Sequence, residues 1–309
     1  GAPQKILSFS RVSWQDASSS PGSMALYCIR FSAPLQAFFS VRGKNLLVDT
    51  SSGFQYNESK ILPRPPGGSA ERSSVPMRRP SSICYIAGAM SLTPSLRPYP
   101  APGDYVIAAD RGFDSLAAYG VMPDLAVGDF DSLGHRPHHP NVIQLPAEKD
   151  DTDMLFALRK GLELGYRRFV LLGGVGGRLE HTLGNLQLLD WLARQGAQGF
   201  LAGEKTAATA IRDGGRLTFP REIQGTLSIF CNSGTAQGVT LRGLKYPLEG
   251  HTLTGDLPLG VSNRFLGQPA QVSVAEGSLL LIWEDRGNFY RLLPDLWVEK
   301  GEKISLMPS

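Results

Sequence analysis

Short apolar runs alternate with amphipathic segments across the middle of the chain. The runs are residues 83–87, 105–109, 125–127, 142–145, 169–172 and 199–202. Two segments between them carry leucine or methionine at helical spacing: residues 154, 155, 158 and 162, and residues 183, 186, 189 and 192. Buried strands that alternate with helices are typical of a mostly parallel sheet covered on both faces. The pattern therefore predicts an α/β domain over residues 82–212, with Thr152 or Asp151 capping the first helix.

After residue 212 the spacing of the apolar positions changes. Short apolar runs separated by Gly- and Pro-containing turns cover residues 216–219, 226–230, 238–241, 271–274 and 278–283. No convincing helical periodicity accompanies them, and such spacing is typical of an antiparallel sandwich or roll. The predicted fold class is therefore α/β, with a mostly parallel sheet flanked by helices, followed by a C-terminal antiparallel β-sandwich domain over residues 213–309.

Residues 1–81 lack a periodic apolar pattern and contain polar, Pro- and Gly-rich stretches such as residues 18–22 and 62–69. A segment of this composition buries too little apolar surface to offset the entropy of ordering it. We therefore expect a disordered N-terminal extension, in which a local element at Ala37-Phe38-Phe39 is left open. We also expect the functional protein to begin near Met77.

The net charge of +3 is unevenly distributed along the chain. Residues 1–81 carry 10 Lys and Arg against 4 Asp and Glu, whereas residues 82–309 carry 21 against 24. No stripe of basic and aromatic residues appears, and no apolar run reaches the ~18–20 residues of a membrane span. Three widely separated cysteines suit a reducing compartment. We expect a cytoplasmic protein that binds neither nucleic acid nor a membrane.

Aspartates cluster where the predicted strands end and a predicted helix begins. Asp129 and Asp131 follow one apolar run, Asp110 ends another, and Asp151 and Asp153 stand at the helix start. In open α/β sheets the ligands bind beyond the carboxyl ends of the strands. Carboxylates this close repel one another unless a cation lies among them, and their hard oxygens suit Mg²⁺. Any one aspartate is equally well a turn or capping residue, but together they predict metal-assisted phosphate chemistry.

A glycine-rich turn, Gly173-Gly174-Val175-Gly176-Gly177-Arg178, lies between a predicted strand and a predicted helix. Backbone N–H groups in such a turn can approach an anion, the helix N-terminus adds partial positive charge, and Arg178 can bind a phosphate oxygen. The turn matches neither the Walker pattern nor the dinucleotide fingerprint. A tight strand-to-helix turn also uses glycine, and His181 is as readily a capping or packing residue as a substrate contact.

Five motifs, taken in order, resemble those of the thiamine pyrophosphokinase family. They are residues 109–112 (Ala-Asp-Arg-Gly), 128–132 (Gly-Asp-Phe-Asp-Ser), 149–153 (Lys-Asp-Asp-Thr-Asp), 173–181 (Gly-Gly-Val-Gly-Gly-Arg-Leu-Glu-His) and 261–263 (Val-Ser-Asn). The resemblance covers residues 83–285. It implies an α/β nucleotide-binding domain followed by a β-sandwich, a homodimeric assembly, and transfer of the pyrophosphoryl group of Mg-ATP to the hydroxyl of thiamine, with release of AMP.

The resemblance also implies roles for individual residues. Asp129, Asp131 and Asp153 correspond to the catalytic carboxylates that bind Mg²⁺, and Asp153 is our choice for accepting the hydroxyl proton. The residues that correspond to ATP or phosphate binding are Asp110, Lys149, Asp151, Thr152, Gly176, Gly177, Arg178, His181 and Asn185. Ser262 and Asn263 correspond to the family's thiamine-binding pair, which the resemblance places near the dimer interface.

Two positions depart from the family pattern. The family commonly has glycine where Arg111 stands and aspartate where Glu180 stands. Arg111 could therefore add a phosphate contact or point away, and the longer Glu180 side chain leaves a direct metal role open. Two other functions also remain open: a Mg²⁺-dependent phosphohydrolase that uses the same carboxylates on water, and a non-catalytic protein that binds nucleotide or thiamine.

Overall fold

The structure is a computed structural model that describes residues 36–41, 44–49, 81–131, 133–148 and 150–300. The chain divides into two compact units, residues 1–73 and 74–309. In the first unit, β1 (Gln36–Val41) and β2 (Lys44–Asp49) form an antiparallel pair, and Ala37-Phe38-Phe39 lies within β1. The remainder of the predicted extension up to residue 80, including Met77, lies outside the described residues.

Six parallel strands form the centre of the second unit. They are β3 (Ile83–Ala87), β4 (Tyr105–Ala109), β5 (Leu125–Gly128), β6 (Val142–Gln144), β7 (Arg168–Leu172) and β8 (Gln198–Ala202). Their order across the sheet is β8-β7-β3-β4-β5-β6. The strands β3, β4, β5, β7 and β8 are buried along almost their whole length, as expected for a sheet covered on both faces. This confirms the predicted parallel sheet.

Three helices accompany these strands: α1 (Gly112–Ala117), α2 (Asp153–Glu163) and α3 (Leu179–Arg194). The Thr152 hydroxyl caps α2 by accepting the Leu155 N–H at 3.2 Å, which confirms one of the two predicted caps. Leu189 and Leu192 of α3 are buried as predicted, but Leu183 is 53% exposed. The prediction for Leu183 was wrong because the first turns of α3 lie beyond the part of the helix that packs on the sheet.

The C-terminal part of the chain is almost entirely strand. Its elements are β9 (Thr206–Arg212), β10 (Gly215–Phe219), β11 (Thr226–Cys231), β12 (Thr235–Arg242), β13 (Leu248–Thr254), β14 (Gly260–Arg264), β15 (Ala270–Ser273), β16 (Ser278–Glu284), α4 (Phe289–Leu292) and β17 (Glu299–Lys300). A five-stranded antiparallel sheet has the order β13-β12-β15-β10-β17. The aromatic core beneath it includes Phe219 and Trp283, with ring centroids 5.4 Å apart. This confirms the predicted antiparallel layer.

The second layer of the sandwich is a continuation of the parallel sheet. Strands β9, β16, β11 and β14 extend that sheet to ten strands, because β9 pairs antiparallel with both β8 and β16. One sheet thus runs through both predicted domains: its strand direction changes between β8 and β9, and after residue 212 the chain passes into β10 of the five-stranded sheet. None of the helices in the described part of the chain is long and apolar enough to span a membrane.

The order of the strands creates a topological switch point at one edge of the sheet, and the region beyond it is called the crevice below. The chain adds β4, β5 and β6 on one side of β3, and then adds β7 and β8 on the other side. Loops that leave the carboxyl ends of β3 and β7 therefore turn in opposite directions. Open α/β sheets bind their ligands at such a topological switch point. The fold places the candidate site beyond the ends of β3 and β7.

Candidate functional site

The loops after β3 and β7 are packed directly against each other at this crevice. The Gly88 N–H donates to the Leu172 carbonyl at 2.8 Å, and the Met90 N–H donates to the Gly173 carbonyl at 3.0 Å. Gly173 has φ of 60°, and a β-carbon there would lie 2.5 Å from the Met90 carbonyl oxygen. Only glycine fits this conformation and this contact. The two loops are therefore held tightly together at this edge of the sheet.

Side chains of α3 hold the rest of the glycine-rich turn in place. Gly176 and Gly177 have φ of 95° and 64°, which favours glycine at both positions. The Thr182 hydroxyl accepts the Gly176 N–H at 3.2 Å, and the Asn185 amide donates to the Gly174 carbonyl at 2.8 Å. Asn185, which the sequence places among the phosphate-binding residues, thus holds the glycine-rich turn in shape.

Arg178 and Glu180 form an exposed ion pair where this turn enters α3. The Arg178 Nε lies 2.5 Å from a Glu180 carboxylate oxygen. A hydrogen bond from the backbone N–H of Glu180, together with the bond from Arg178, lowers the pKa of the Glu180 carboxyl. Glu180, one of the two departures from the family pattern, thus pairs with the arginine predicted to bind phosphate. His181 is exposed on the same turn.

Asp110 follows β4 and lies beside the end of β5. Its N–H donates to the Val127 carbonyl at 2.8 Å, and its φ of 50° is in the left-handed region that non-glycine residues rarely adopt. A β-carbon at Gly128 would lie 3.1 Å from the Asp110 Cα. The glycine thus allows the two strand ends to approach closely, and Asp110 is buried between them. Strained backbone of this kind is characteristic of functional sites.

Asp129 and Asp131 flank a second strained residue, Phe130, whose φ is 61°. The Phe130 ring is buried in the core, and its carbonyl accepts the N–H groups of Leu133 and Gly134, both at 3.1 Å. A carboxylate oxygen of Asp129 accepts the Asp131 N–H at 3.2 Å. The buried ring and these bonds fix the backbone between the two aspartates beyond the end of β5.

The start of α2 lies next to the loop after β3. A β-carbon at Gly88 would lie 2.8 Å from the Met154 methyl group, so the first turn of α2 borders the crevice. Asp153 begins that turn and is half-buried, while Asp151 is paired with Arg159. Lys149, the remaining predicted phosphate ligand of this segment, lies outside the described residues.

The aspartates offer the oxygen ligands that Mg²⁺ prefers, but they do not form a complete set of metal ligands. Within the described ranges, no group of three His, Cys, Asp or Glu side chains is close enough to hold a metal ion. Mg²⁺ is usually bound by one or two carboxylates, together with water and substrate phosphates. The carboxylate oxygens of Asp129, Asp131 and Asp153 therefore suit Mg²⁺ as a donor set that substrate phosphates would complete.

The predicted thiamine pair lies in β14, and its two side chains have different environments. Ser262 has φ of 61°, its side chain is exposed, and its N–H donates to the Ser228 hydroxyl at 3.1 Å. The Asn263 side chain is only 4% exposed and is bonded to backbone groups of Tyr246 and Arg264. Of the pair, only Ser262 faces outward.

Ser262 and Asn263 lie at the same edge of the sheet as the crevice, but far from it within one chain. The strand register places Asn263 level with Ala202, the last residue of β8. Between β7 and β14 there are five strand spacings, which at roughly 4.8 Å each is about 24 Å. The structure thus places the glycine-rich turn and the aspartates at the carboxyl ends of β7, β4 and β5 and at the start of α2, and puts Ser262 further along the same edge of the sheet.

Sequence reasoning missed the loop after β3. Gly88 and Met90 contact the glycine-rich turn, and Gly88 also borders α2, yet the segment carries no charged residue and no motif. A glycine directly after the apolar run of β3 was the only available signal. It also missed Tyr246, which becomes a neighbour of Asn263 only through the fold.

The fold and the site define the class of protein: an α/β enzyme with its candidate site at the switch point of the sheet. Residues 99–201 match the catalytic domain of thiamin pyrophosphokinase, and residues 216–279 match its vitamin B1 binding domain. A thiamine pyrophosphokinase of Bacillus subtilis is 30% identical over 208 residues, covering 65% of this chain and 97% of the relative. The chain belongs to the thiamine pyrophosphokinase family.

Solved structures agree with this assignment. The crystal structure of thiamine pyrophosphokinase from Bacillus subtilis has a TM-score of 0.60 and 28% identity, covering 66% of this chain and 100% of that one. The enzyme from Geobacillus thermodenitrificans has a TM-score of 0.57 and 31% identity, covering 66% and 97%. Thiamin pyrophosphokinase from Candida albicans, at 16% identity and a TM-score of 0.56, shares the fold, covering 66% and 89%.

Proposed function

We propose that the protein transfers the pyrophosphoryl group of ATP to the hydroxyl of thiamine, giving thiamine diphosphate and AMP. The observation that carries the proposal is the pairing of two surfaces in one chain. The glycine-rich turn and three candidate carboxylates lie in the segment similar to the catalytic domain, and the exposed Ser262 lies in the segment similar to the vitamin B1 binding domain.

In this reaction the hydroxyl oxygen of thiamine attacks the β-phosphorus of ATP. The bond from that phosphorus to the oxygen bridging to the α-phosphorus breaks, and AMP leaves with the bonding electron pair. The hydroxyl proton passes to a carboxylate, for which we propose Asp153 at the start of α2. Phosphoryl transfer needs little covalent help from a protein, so the residues act mainly by positioning and by neutralising charge.

The crevice offers the groups that hold a polyphosphate. Backbone N–H groups of the glycine-rich turn, the N-terminus of α3 and Arg178 are suited to phosphate oxygens. We propose that Lys149, Asp110 and His181 complete this surface. Asp151, Thr152 and Asn185 support it indirectly, because their side chains bond to Arg159, to the start of α2 and to the glycine-rich turn.

Asp129, Asp131 and Asp153 are the residues that would hold Mg²⁺. When bound, the ion supplies positive charge against the phosphate oxygens. The backbone around Phe130 fixes two of these carboxylates relative to each other, which reduces the reorganisation needed when the substrate binds.

We further propose that the active assembly is a homodimer. Thiamine is much shorter than the roughly 24 Å across the sheet between β14, which carries Ser262, and β7, which leads into the glycine-rich turn. A second copy would bring its own Ser262 to the crevice. Around Ser262, the described chain exposes four large apolar side chains on and beside the edge strand β14, as expected for an interface: Leu257, Leu259, Val261 and Leu266.

Substituting Val261 with glutamate is expected to shift the protein from dimer to monomer, because it places a charge within this apolar surface on β14. Light scattering during size-exclusion chromatography measures the mass. Met122→Glu is the matched control, since Met122 is also exposed but precedes β5 at the opposite edge of the sheet. A wild-type monomer, or a Val261→Glu variant that stays dimeric, would contradict the proposed interface.

The proposed reaction is tested by incubating the protein with ATP, Mg²⁺ and thiamine and separating the products. We expect AMP and thiamine diphosphate to appear together, and only when thiamine is present. Phosphate release that does not depend on thiamine would identify a phosphohydrolase instead. Thiamine or nucleotide binding without any product would identify a non-catalytic binding protein.

A further inference from the structure

The hydrogen bonds of Asn263 leave its side chain little capacity for a ligand. Its amide oxygen accepts the Tyr246 N–H at 3.0 Å and the Arg264 N–H at 2.9 Å, and its amide nitrogen donates to the Tyr246 carbonyl at 2.7 Å. The oxygen thus has both acceptor positions in use, and the residue is 4% exposed. With its amide bonded in this way, the Asn263 side chain holds neighbouring backbone in place rather than a ligand.

The backbone that Asn263 holds belongs to Tyr246, a residue with an exposed ring. The segment is fixed on both sides: the Lys245 N–H donates to the Arg264 carbonyl at 2.9 Å, and Leu244 forms a β-bridge with Phe265. The Tyr246 side chain is 57% exposed. The fold therefore presents this ring to solvent at a rigidly held position, next to the strand that carries Ser262.

The Tyr246 ring already attracts a cation within this chain. The Lys245 ammonium lies 5.3 Å from the ring centroid, within the range of a cation–π contact. The lysine side chain is flexible and easily replaced at an exposed site. Thiamine carries a permanently cationic thiazolium ring, which matches the electronegative face of an aromatic ring.

We propose that Tyr246 supplies an aromatic face for the thiazolium ring of thiamine, and that Asn263 is a positioning residue that acts through the Tyr246 backbone. The proposal rests on the proposed function and assigns residues within it. Ser262, which faces outward beside Asn263, remains the residue of the pair that contacts thiamine directly. Cation–π contacts of this kind change binding by roughly 2- to 30-fold.

Steady-state kinetics with ATP and thiamine varied separately provide the test. For Tyr246→Ala we expect the KM for thiamine to rise about tenfold, with the KM for ATP and kcat within about threefold of wild type. Tyr246→Phe keeps the ring and should restore the wild-type KM. Asn263→Ala should raise the KM for thiamine in the same way. In the double variant Asn263→Ala/Tyr246→Ala the increase should be no larger than in Tyr246→Ala alone, since residues that act through one another are not additive.

Asp104→Ala is the matched structural control. The Asp104 carboxylate also binds two backbone N–H groups, those of Ile83 at 2.7 Å and Ala101 at 2.9 Å, but it lies where β3 begins, at the opposite edge of the sheet. Its removal should lower the melting temperature and leave both KM values unchanged. If Asn263→Ala does not fold, Asn263→Asp is used in its place. It keeps a side-chain oxygen for the Tyr246 and Arg264 N–H groups but loses the amide that donates to the Tyr246 carbonyl.

Each outcome decides the proposal. An unchanged KM for thiamine in Tyr246→Ala overturns the role of the ring. Multiplicative effects of Asn263→Ala and Tyr246→Ala overturn the positioning role and indicate direct contact between Asn263 and thiamine. A wild-type protein that forms no thiamine diphosphate overturns the proposed function and this assignment together, whereas an active wild type with an unaffected Tyr246→Ala variant overturns only this assignment.

Discussion

Replacing Asp129 with asparagine is expected to lower kcat by about 10²- to 10³-fold while leaving the fold intact. The substitution removes a negative charge from the proposed magnesium site but retains a side-chain oxygen, which can still accept the Asp131 N–H. The backbone at this position is fixed by the buried Phe130 ring. Formation of AMP measures the activity, and thermal unfolding measures the fold.

Asp124→Asn provides the matched control for Asp129. Asp124 stands at the other end of β5, where its carboxylate accepts the Val106 N–H at 2.8 Å, and no proposed substrate contact lies there. We expect it to retain kcat within about threefold, because a structural hydrogen bond of this kind contributes roughly 1 kcal/mol to stability. Full activity in Asp129→Asn would remove Asp129 from the proposed metal site.

Gly173→Ala is expected to destabilise the protein by about 2–4 kcal/mol, as the sum of two effects. The residue has φ of 60°, which costs roughly 1 kcal/mol for alanine, and the added methyl group would lie 2.5 Å from the Met90 carbonyl oxygen and 2.9 Å from that of Gly88. Overpacking against backbone adds about 1–3 kcal/mol. Denaturant unfolding measures the loss.

Gly176→Ala measures the cost of the left-handed backbone conformation without the steric clash against Met90 and Gly88. Gly176 also has a positive φ, of 95°, but a β-carbon there would meet only the flexible Met90 methyl group at 3.9 Å. We therefore expect Gly176→Ala to lose about 1 kcal/mol, the strain term alone. Equal losses in the two variants would show that the loop after β3 does not pack against the glycine-rich turn as described.

The parallel sheet was predictable because its strands are buried on both faces. Such strands form continuous apolar runs, and the polar residues that follow them, Asp110 and Asp129, necessarily lie at the carboxyl edge. The cap at Thr152 followed from equally local chemistry. These features depend on neighbours in the sequence, so the sequence is sufficient to infer them.

Features that depend on distant neighbours were not predictable. The continuation of the sheet from β8 into β9 and β16 depends on strand pairing, which the apolar pattern of either strand does not encode. The inward orientation of Asn185 and Asn263 depends on backbone groups 11 and 17 residues away. An asparagine in a motif therefore looks the same whether it binds a substrate or holds the loop that does.

The reaction is tested most directly by following each phosphorus atom of ATP into products. We predict that label in the β- or γ-phosphate appears in thiamine diphosphate, that label in the α-phosphate remains in AMP, and that the two products form in equal amounts. Transfer of the γ-phosphate alone, giving thiamine monophosphate and ADP, or release of label as free phosphate without thiamine, would contradict the account.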